Sequence, residues 1–270
     1  MKSNKKEYIL TTSTPENLRL RRQHDLWLED ARVLWRRARL TRQTQILEMG
    51  SGPGYSTLDL ARYIGDACQI TAIELSPVYA KECAERLKEY PNVKVLNADL
   101  HELNLGKQKF DAVFGRWIWM WLPKPERALQ KILAHLKPGG IIALQEYVDY
   151  GSMNLSSDSP IQTQVKDAIM KSFSDTGGDP DIVKRLVPLF EKYGLEIEML
   201  DSNSKLVRPQ DPTWDWPTHF YQTYLPILQA KNYLTSAQVK QFQKVWQKAY
   251  EVPGTFWIAP TVASVIARKK

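Results

Sequence analysis

The 270-residue chain has only two cysteines, Cys68 and Cys83, and only four histidines. Neither cysteine has a histidine at metal-ligand spacing. A disulfide scaffold and a structural zinc site are therefore not expected, and a reducing, cytoplasmic setting is. No stretch approaches 18 uninterrupted apolar residues, so no transmembrane segment is expected. The basic start of the sequence leads into no apolar run of secretory length, so no signal peptide is expected either. The chain lacks Gly-Lys-Ser/Thr, so it has no P-loop. Internal repeats and low-complexity segments are absent. What is present is the composition of an ordinary globule, with 43% hydrophobic and 25% charged residues, enough to build a sizeable core.

The net charge is +7, and it is unevenly placed. Residues 1–45 hold 11 basic and 5 acidic side chains, so this segment carries most of the excess. A basic face of this kind suits nucleic acid, a membrane surface or an acidic substrate, or is simply the solvated side of a helix. Within it, residues 16–40 show helical spacing of Leu18, Leu20, Leu26, Leu28, Val33 and Leu34. The sequence predicts one amphipathic helix there, within an N-terminal helical lid over residues 1–45.

From residue 46 the pattern becomes a series of short apolar runs separated by helical stretches. The runs are Ile46–Met49, Ile70–Leu75, Val93–Ala98, Phe110–Arg116 and Ile141–Val148. Such alternation predicts βαβ units, a mostly parallel sheet and helices on both faces. Residues 46–150 are thus expected to form a ligand-binding α/β core. Residues 151–194 follow as cap helices broken at Gly177-Gly178. Residues 195–270 supply two final strands, over 195–207 and 255–268, around an aromatic-rich helical insertion at about 208–250.

The most informative segment is Glu48-Met49-Gly50-Ser51-Gly52-Pro53-Gly54, where a strand feeds a glycine turn and then a helix. Such a turn lets backbone approach a ligand closely and presents a helix N-terminus to it. The dinucleotide pattern Gly-x-Gly-x-x-Gly fails in both registers, because Tyr55 or Thr57 stands at its last position. Pro53 also removes an N–H from the loop. Glu74 ends the second run and Asp99 follows the third. Together with Glu48, three acids gather at strand carboxyl ends. That is hostile to phosphate and suited to a cationic nucleoside whose ribose hydroxyls need acceptors.

These residues resemble class I S-adenosylmethionine-dependent methyltransferases. The resemblance is carried, in order, by Glu48–Gly54, Glu74, Asp99, Phe110-Asp111-Ala112-Val113-Phe114 and Leu136-Lys137-Pro138-Gly139-Gly140. It implies a Rossmann-like, seven-stranded sheet, mostly parallel with the last strand antiparallel, and S-adenosyl-L-methionine as cofactor. It also implies that Glu48, Gly50, Ser51, Gly52 and Gly54 line the cofactor's amino-acid end. By the same resemblance Glu74 with Leu75 meets the ribose, Asp99 with Leu100 meets the adenine, and Arg116 closes over the methionine portion. The N-terminal segment is similar to a small-molecule subgroup of the ubiquinone- and menaquinone-biosynthesis kind. That similarity implies Tyr8, Arg19 and Gln23 near the methionine carboxylate.

Methyl transfer from a sulfonium is an in-line displacement that chiefly needs alignment and exclusion of water, so no catalytic dyad is required. Trp117 and Met120 after the fourth strand, Tyr147 and Tyr150 after the fifth, and His219 and Tyr221 in the late insertion are candidate acceptor contacts. His219 is the candidate base. The expected activity is methylation of O, N or C of a small apolar or aromatic metabolite by a monomer or homodimer, with no stable nucleic-acid partner. The alternatives are a tRNA or rRNA methyltransferase using the basic N-terminal region, a quinone-ring methyltransferase at a membrane surface, and a cofactor-binding module without turnover.

Overall fold

Continuous apolar runs belong in strands buried on both faces, and four of the five runs go there, while Val93–Ala98 forms a half-exposed edge strand. The computed structural model describes residues 14–40, 44–157 and 159–270. In chain order the strands are β1 (Gln45–Met49), β2 (Gln69–Glu74), β3 (Val93–Asn97), β4 (Phe110–Arg116), β5 (Leu136–Asp149), β6 (Asn154–Leu155), β7 (Leu195–Asn203), β8 (Leu206–Val207), β9 (Trp257–Ile258) and β10 (Thr261–Lys269). The helices are α1 (Thr14–Arg37), α2 (Tyr55–Ile64), α3 (Pro77–Arg86), α4 (Pro125–His135), α5 (Pro160–Asp175), α6 (Val183–Lys192), α7 (Asp215–Ala230) and α8 (Ser236–Lys248). The chain forms two compact units. A sheet unit takes residues 24–148, 181–203 and 262–270. A helical unit takes 149–180, 204–261 and the described residues up to Gln23.

The sheet unit holds a seven-stranded sheet in the order β3-β2-β1-β4-β5-β10-β7. β1 pairs in parallel with β2 and β4, β2 with β3, and β4 with β5. β10 runs antiparallel to β7, with a bulge at Ile266/Ala267. This is the expected seven-stranded, mostly parallel architecture with its last strand antiparallel. Strand order reverses between β1 and β4, and a crevice opens at the carboxyl ends of the strands at such a point. One core cluster joins Leu34 and Trp35 of α1, Ile46 of β1, Leu60 and Ile64 of α2, Phe114 of β4 and Ala143 of β5. The Trp35 ring meets Phe114 edge-on at 5.7 Å.

Local chemistry sets the helix ends. Ser76 caps α3 by accepting from the Tyr79 N–H, and Pro77 fills the first turn, where its missing N–H costs nothing. Asp111, part of the Phe110–Phe114 motif, stitches three strands. It accepts from the Gln45 N–H at 2.8 Å and pairs with Lys137 Nζ at 2.7 Å.

The two final strands are shorter in the sheet than the sequence predicts. Ala259 N–H donates to the Lys205 carbonyl, and the Ser204 hydroxyl donates to the Ala259 carbonyl. These bonds divert the flanking residues 206–207 and 257–258 into β8 and β9. With β6 they make a small sheet of the helical unit, in the order β6-β9-β8. The segment grouped by sequence as cap helices is likewise divided. α5 lies in the helical unit, whereas α6 buries Val183, Leu186 and Phe190 and packs on β7 in the sheet unit.

The helical unit is held by rings. Trp214 stacks on Trp246 at 4.4 Å, and Tyr221 contacts Phe242 and Trp246 at 4.6 and 4.7 Å. α8 opens with a capping box between Thr235 and Gln238. Among the described residues no helix is long and apolar enough to cross a membrane, and no group of side chains is placed to hold a metal ion.

Candidate functional site

β1 delivers Glu48 to the crevice and then turns sharply. Gly50, Gly52 and Gly54 all have positive φ, at 64°, 54° and 88°. Gly50 and Gly54 are also required by packing. An added Cβ would lie 2.7 Å from Ile118 Cδ1 in the first case and 2.8 Å from Cys83 Sγ in the second. Gly52 faces open space, since a Cβ there meets nothing within 4 Å. The loop is tied down from both sides. Ser51 N–H donates to the Ile73 carbonyl at 3.1 Å, and Arg86 Nε donates to the Pro53 carbonyl at 2.8 Å.

Glu74, at the end of β2, meets this loop directly. Its Oε2 accepts from the Gly52 N–H and its Oε1 from the Ser76 N–H, both at 2.8 Å. Each oxygen thus has one donor and keeps one further lone pair. The carboxylate is fixed in place with room for two hydroxyl donors. Burial raises its pKa, opposed by those two N–H groups. Beside it Leu75 is 65% exposed, an apolar surface waiting for a flat partner. Asp99 caps the short turn Leu100–Glu102, accepting from His101 N–H at 2.8 Å and from His101 Nδ1 at 2.9 Å. Leu100 is buried.

At the opposite side of the crevice, Glu48 and Arg116 are two enclosed charges. Glu48 is 2% exposed, and burial pushes its carboxyl up to about 7, against a hydrogen bond from Thr57 and the pull of Arg116. Burial in turn lowers Arg116 to about 10. Glu48 Oε2 and Arg116 Nη1 have no hydrogen-bond partner among the described residues. A buried charged group with an unpaired polar atom is costly, so these two atoms suit a ligand that brings a cation and an anion of its own. A zwitterionic amino-acid end does so. The described residues therefore fit S-adenosylmethionine at three places: diol acceptors at Glu74, an apolar face at Leu75, and opposite charges at Glu48 and Arg116.

The aromatic candidates divide between the units. In the sheet unit, Trp117 has φ 53° and its ring lies under the Arg116 guanidinium at 4.6 Å. It also stacks with Tyr147 at 6.0 Å and meets Trp27 edge-on at 6.0 Å. Met120 is buried nearby in the turn Trp119–Trp121. Glu146 pins this segment, its Oε1 accepting from the Ile118 and Trp119 N–H groups at 2.6 and 2.7 Å.

In the helical unit, Tyr150 packs edge-on against Phe173 at 5.4 Å, and Tyr221 sits in the aromatic core with Trp257 Nε1 donating to its hydroxyl. His219 Nδ1 lies 2.7 Å from both the Asp215 carbonyl and Arg22 Nη1, and the same Arg22 nitrogen lies 2.6 Å from Nε2. The Arg22 guanidinium thus sits against both ring nitrogens of the candidate base. Arg19 forms a bidentate pair with Glu16 and donates to Gln23 Oε1 at 2.6 Å. Tyr8 lies outside the described residues.

Two residues of this site carry no sequence motif. His24 and Asp59 join Arg116 in a hydrogen-bonded chain, with His24 Nε2 2.8 Å from Asp59 and Nδ1 2.5 Å from Arg116 Nη2. The available signal was periodicity: His24, Trp27, Ala31, Leu34 and Trp35 form the buried stripe of their helix. The basic helix α1 is also less free than its composition suggests. Arg19, Arg22, Arg32 and Arg37 all form ion pairs with carboxylates.

Comparison with known proteins gives the same picture. A family model described as a methyltransferase domain matches residues 46–140. The chain is 31% identical over 101 residues to a trans-aconitate 2-methyltransferase of Deinococcus radiodurans, covering 37% of each chain. It is 30% identical over 123 residues to a malonyl-[acyl-carrier protein] O-methyltransferase of Enterobacter lignolyticus, covering 45% of this chain and 46% of that one. The chain thus spans less than half the length of these curated relatives. The crystal structure of a Bacillus halodurans protein shares the fold with a TM-score of 0.61 at 15% identity, covering 89% of this chain and 99% of that one. Sheet order, crevice chemistry and family match converge: the chain carries a class I S-adenosylmethionine-dependent methyltransferase domain.

Proposed function

We propose that the protein transfers a methyl group from S-adenosylmethionine to a small-molecule acceptor. The observation that carries this reading is the Gly52–Glu74 contact. A carboxylate at the end of β2 is locked by backbone N–H groups beside the glycine loop, with lone pairs left for a ribose diol. Around it, Leu75, Asp99 and Leu100 receive the adenine. Glu48 Oε2 accepts from the ammonium of the amino-acid end, and Arg116 Nη1 donates to its carboxylate. When bound, the cofactor supplies a methyl group on a positively charged sulfur.

The chain's part is alignment and exclusion of water. The rings of Trp117 and Tyr147, with Met120, offer the sheet unit's apolar contribution to holding an acceptor. No general base is assigned: both ring nitrogens of the candidate, His219, lie against the Arg22 guanidinium. Of the relatives named above, one acts on trans-aconitate, which supports a metabolite-sized acceptor, and one on a malonyl-[acyl-carrier protein], which supports a small acyl group as the part methylated. The ion pairing along α1 favours this over an RNA acceptor.

Isothermal titration with S-adenosylhomocysteine tests the cofactor half. Binding by the wild type and its loss in Glu74→Ala are expected, and no binding by the wild type refutes the proposal. Labelled-methyl transfer into a metabolite extract tests the acceptor half. Label recovered only in RNA would replace the small-molecule reading.

A further inference from the structure

His24 takes no part in the proposed transfer, yet it is 4% exposed and both its ring nitrogens are engaged. A guanidinium can only donate. Nδ1, 2.5 Å from Arg116 Nη2, must therefore accept, and the ring proton sits on Nε2 and is given to Asp59 Oδ2 at 2.8 Å. His24 is thus a neutral imidazole of fixed tautomer. Burial and the Arg116 charge support this by lowering its pKa to about 4. Asp59 stands on α2, the helix opened by the glycine loop, and Arg116 at the end of β4.

The chain of bonds ties back one arm of Arg116 and leaves the other. Nη1 is buried and has no partner among the described residues, and the guanidinium carbon lies 4.6 Å from the centre of the Trp117 ring. A long flexible side chain normally loses rotamer freedom when it engages a ligand; one already held loses less.

We propose that the Asp59–His24 pair is a positioning device that aims the Arg116 guanidinium at the carboxylate of the cofactor's amino-acid end. This rests on the role given to Arg116 above. His24 touches neither cofactor nor acceptor in this scheme. It acts through Arg116, and its effect is confined to the part of the ligand that Arg116 meets.

The test compares two ligands by titration calorimetry: S-adenosylhomocysteine, which has the amino-acid end, and 5′-methylthioadenosine, which lacks it. His24→Phe keeps a ring and removes both hydrogen bonds. It is expected to weaken S-adenosylhomocysteine about tenfold while 5′-methylthioadenosine changes by less than about twofold. His24→Gln is expected to restore the preference, since an amide accepts from Arg116 and donates to Asp59. Equal weakening of both ligands, or of neither, by His24→Phe overturns the inference. Arg116→Met separates it from the reading beneath it. If that variant leaves the ratio of the two affinities unchanged, the role of Arg116 fails. If it compresses the ratio and His24→Phe does not, only the positioning role fails. Should His24→Phe not fold, as judged by circular dichroism, Asp59→Leu carries the same comparison with the same expected selectivity.

Discussion

The enclosed carboxyl of Glu48 makes the ligand-free protein sensitive to pH, with a sign opposite to the usual acid denaturation. Burial lifts this group from its ordinary 4.5 to about 7. A raised carboxyl keeps its proton in the folded state over a range where the unfolded chain has lost it. The folded state then binds more protons, so stability falls as pH rises from the unfolded value through the folded one. One pKa unit corresponds to about 1.4 kcal/mol, so a loss on the order of 2–3 kcal/mol is expected between roughly pH 5 and pH 8 from this group alone. Glu48→Gln keeps the shape and removes the titration. Urea unfolding at closely spaced pH values should show wild-type stability falling across that window relative to the variant. Parallel pH profiles for the two proteins would refute the reasoning. The same linkage predicts that a ligand with an ammonium group binds more tightly above pH 7, and that Glu48→Gln abolishes that rise.

Further outcomes follow from single contacts. Glu74→Ala removes the acceptor of the Gly52 N–H and the proposed ribose contact, and should weaken S-adenosylhomocysteine at least about tenfold by calorimetry. Gly54→Ala forces a side chain into a φ of 88° against Cys83 Sγ, and should lower stability by about 1–3 kcal/mol in denaturant melts. Trp214→Ala empties the stacked pair with Trp246 in the helical unit and should cost about 3–5 kcal/mol. Lys137→Met, by contrast, breaks a half-exposed pair with Asp111 and should change stability by less than about 1 kcal/mol.

Periodicity and glycine spacing carried most of the sheet and one side of the crevice. Short apolar runs alternating with helical stretches point to a parallel sheet, and Glu48, Glu74 and Asp99 are placed at or just past strand ends by their positions in those runs. What the sequence hid depends on long-range pairing. His24 meets Arg116 across 92 positions and Asp59 across 35, and no local pattern encodes such a meeting. β8 and β9 are two residues each, too short for alternation to register. Tyr221 read as an acceptor contact because it lies in an aromatic stretch, and the same stretch supplies the core of the helical unit. Burial alone separates the two roles, and spacing does not report it. Arg116 was legible as a position, but its tethering was not, because a hydrogen-bonded rotamer leaves no trace in composition.

The path of the chain has a consequence for how this protein is made. It passes between the two units at 23/24, 148/149, 180/181, 203/204 and 261/262, and its last crossing delivers β10 into a slot between β5 and β7. An internal strand of this sheet is thus synthesised after both of its neighbours. Until it arrives, β7 has no neighbour in the sheet and β5 presents a bare edge. A nascent chain stalled before residue 261 would expose two sticky borders to other chains. A truncation there should leave inclusion bodies rather than a smaller folded protein, and neither unit can be cut out as one continuous piece.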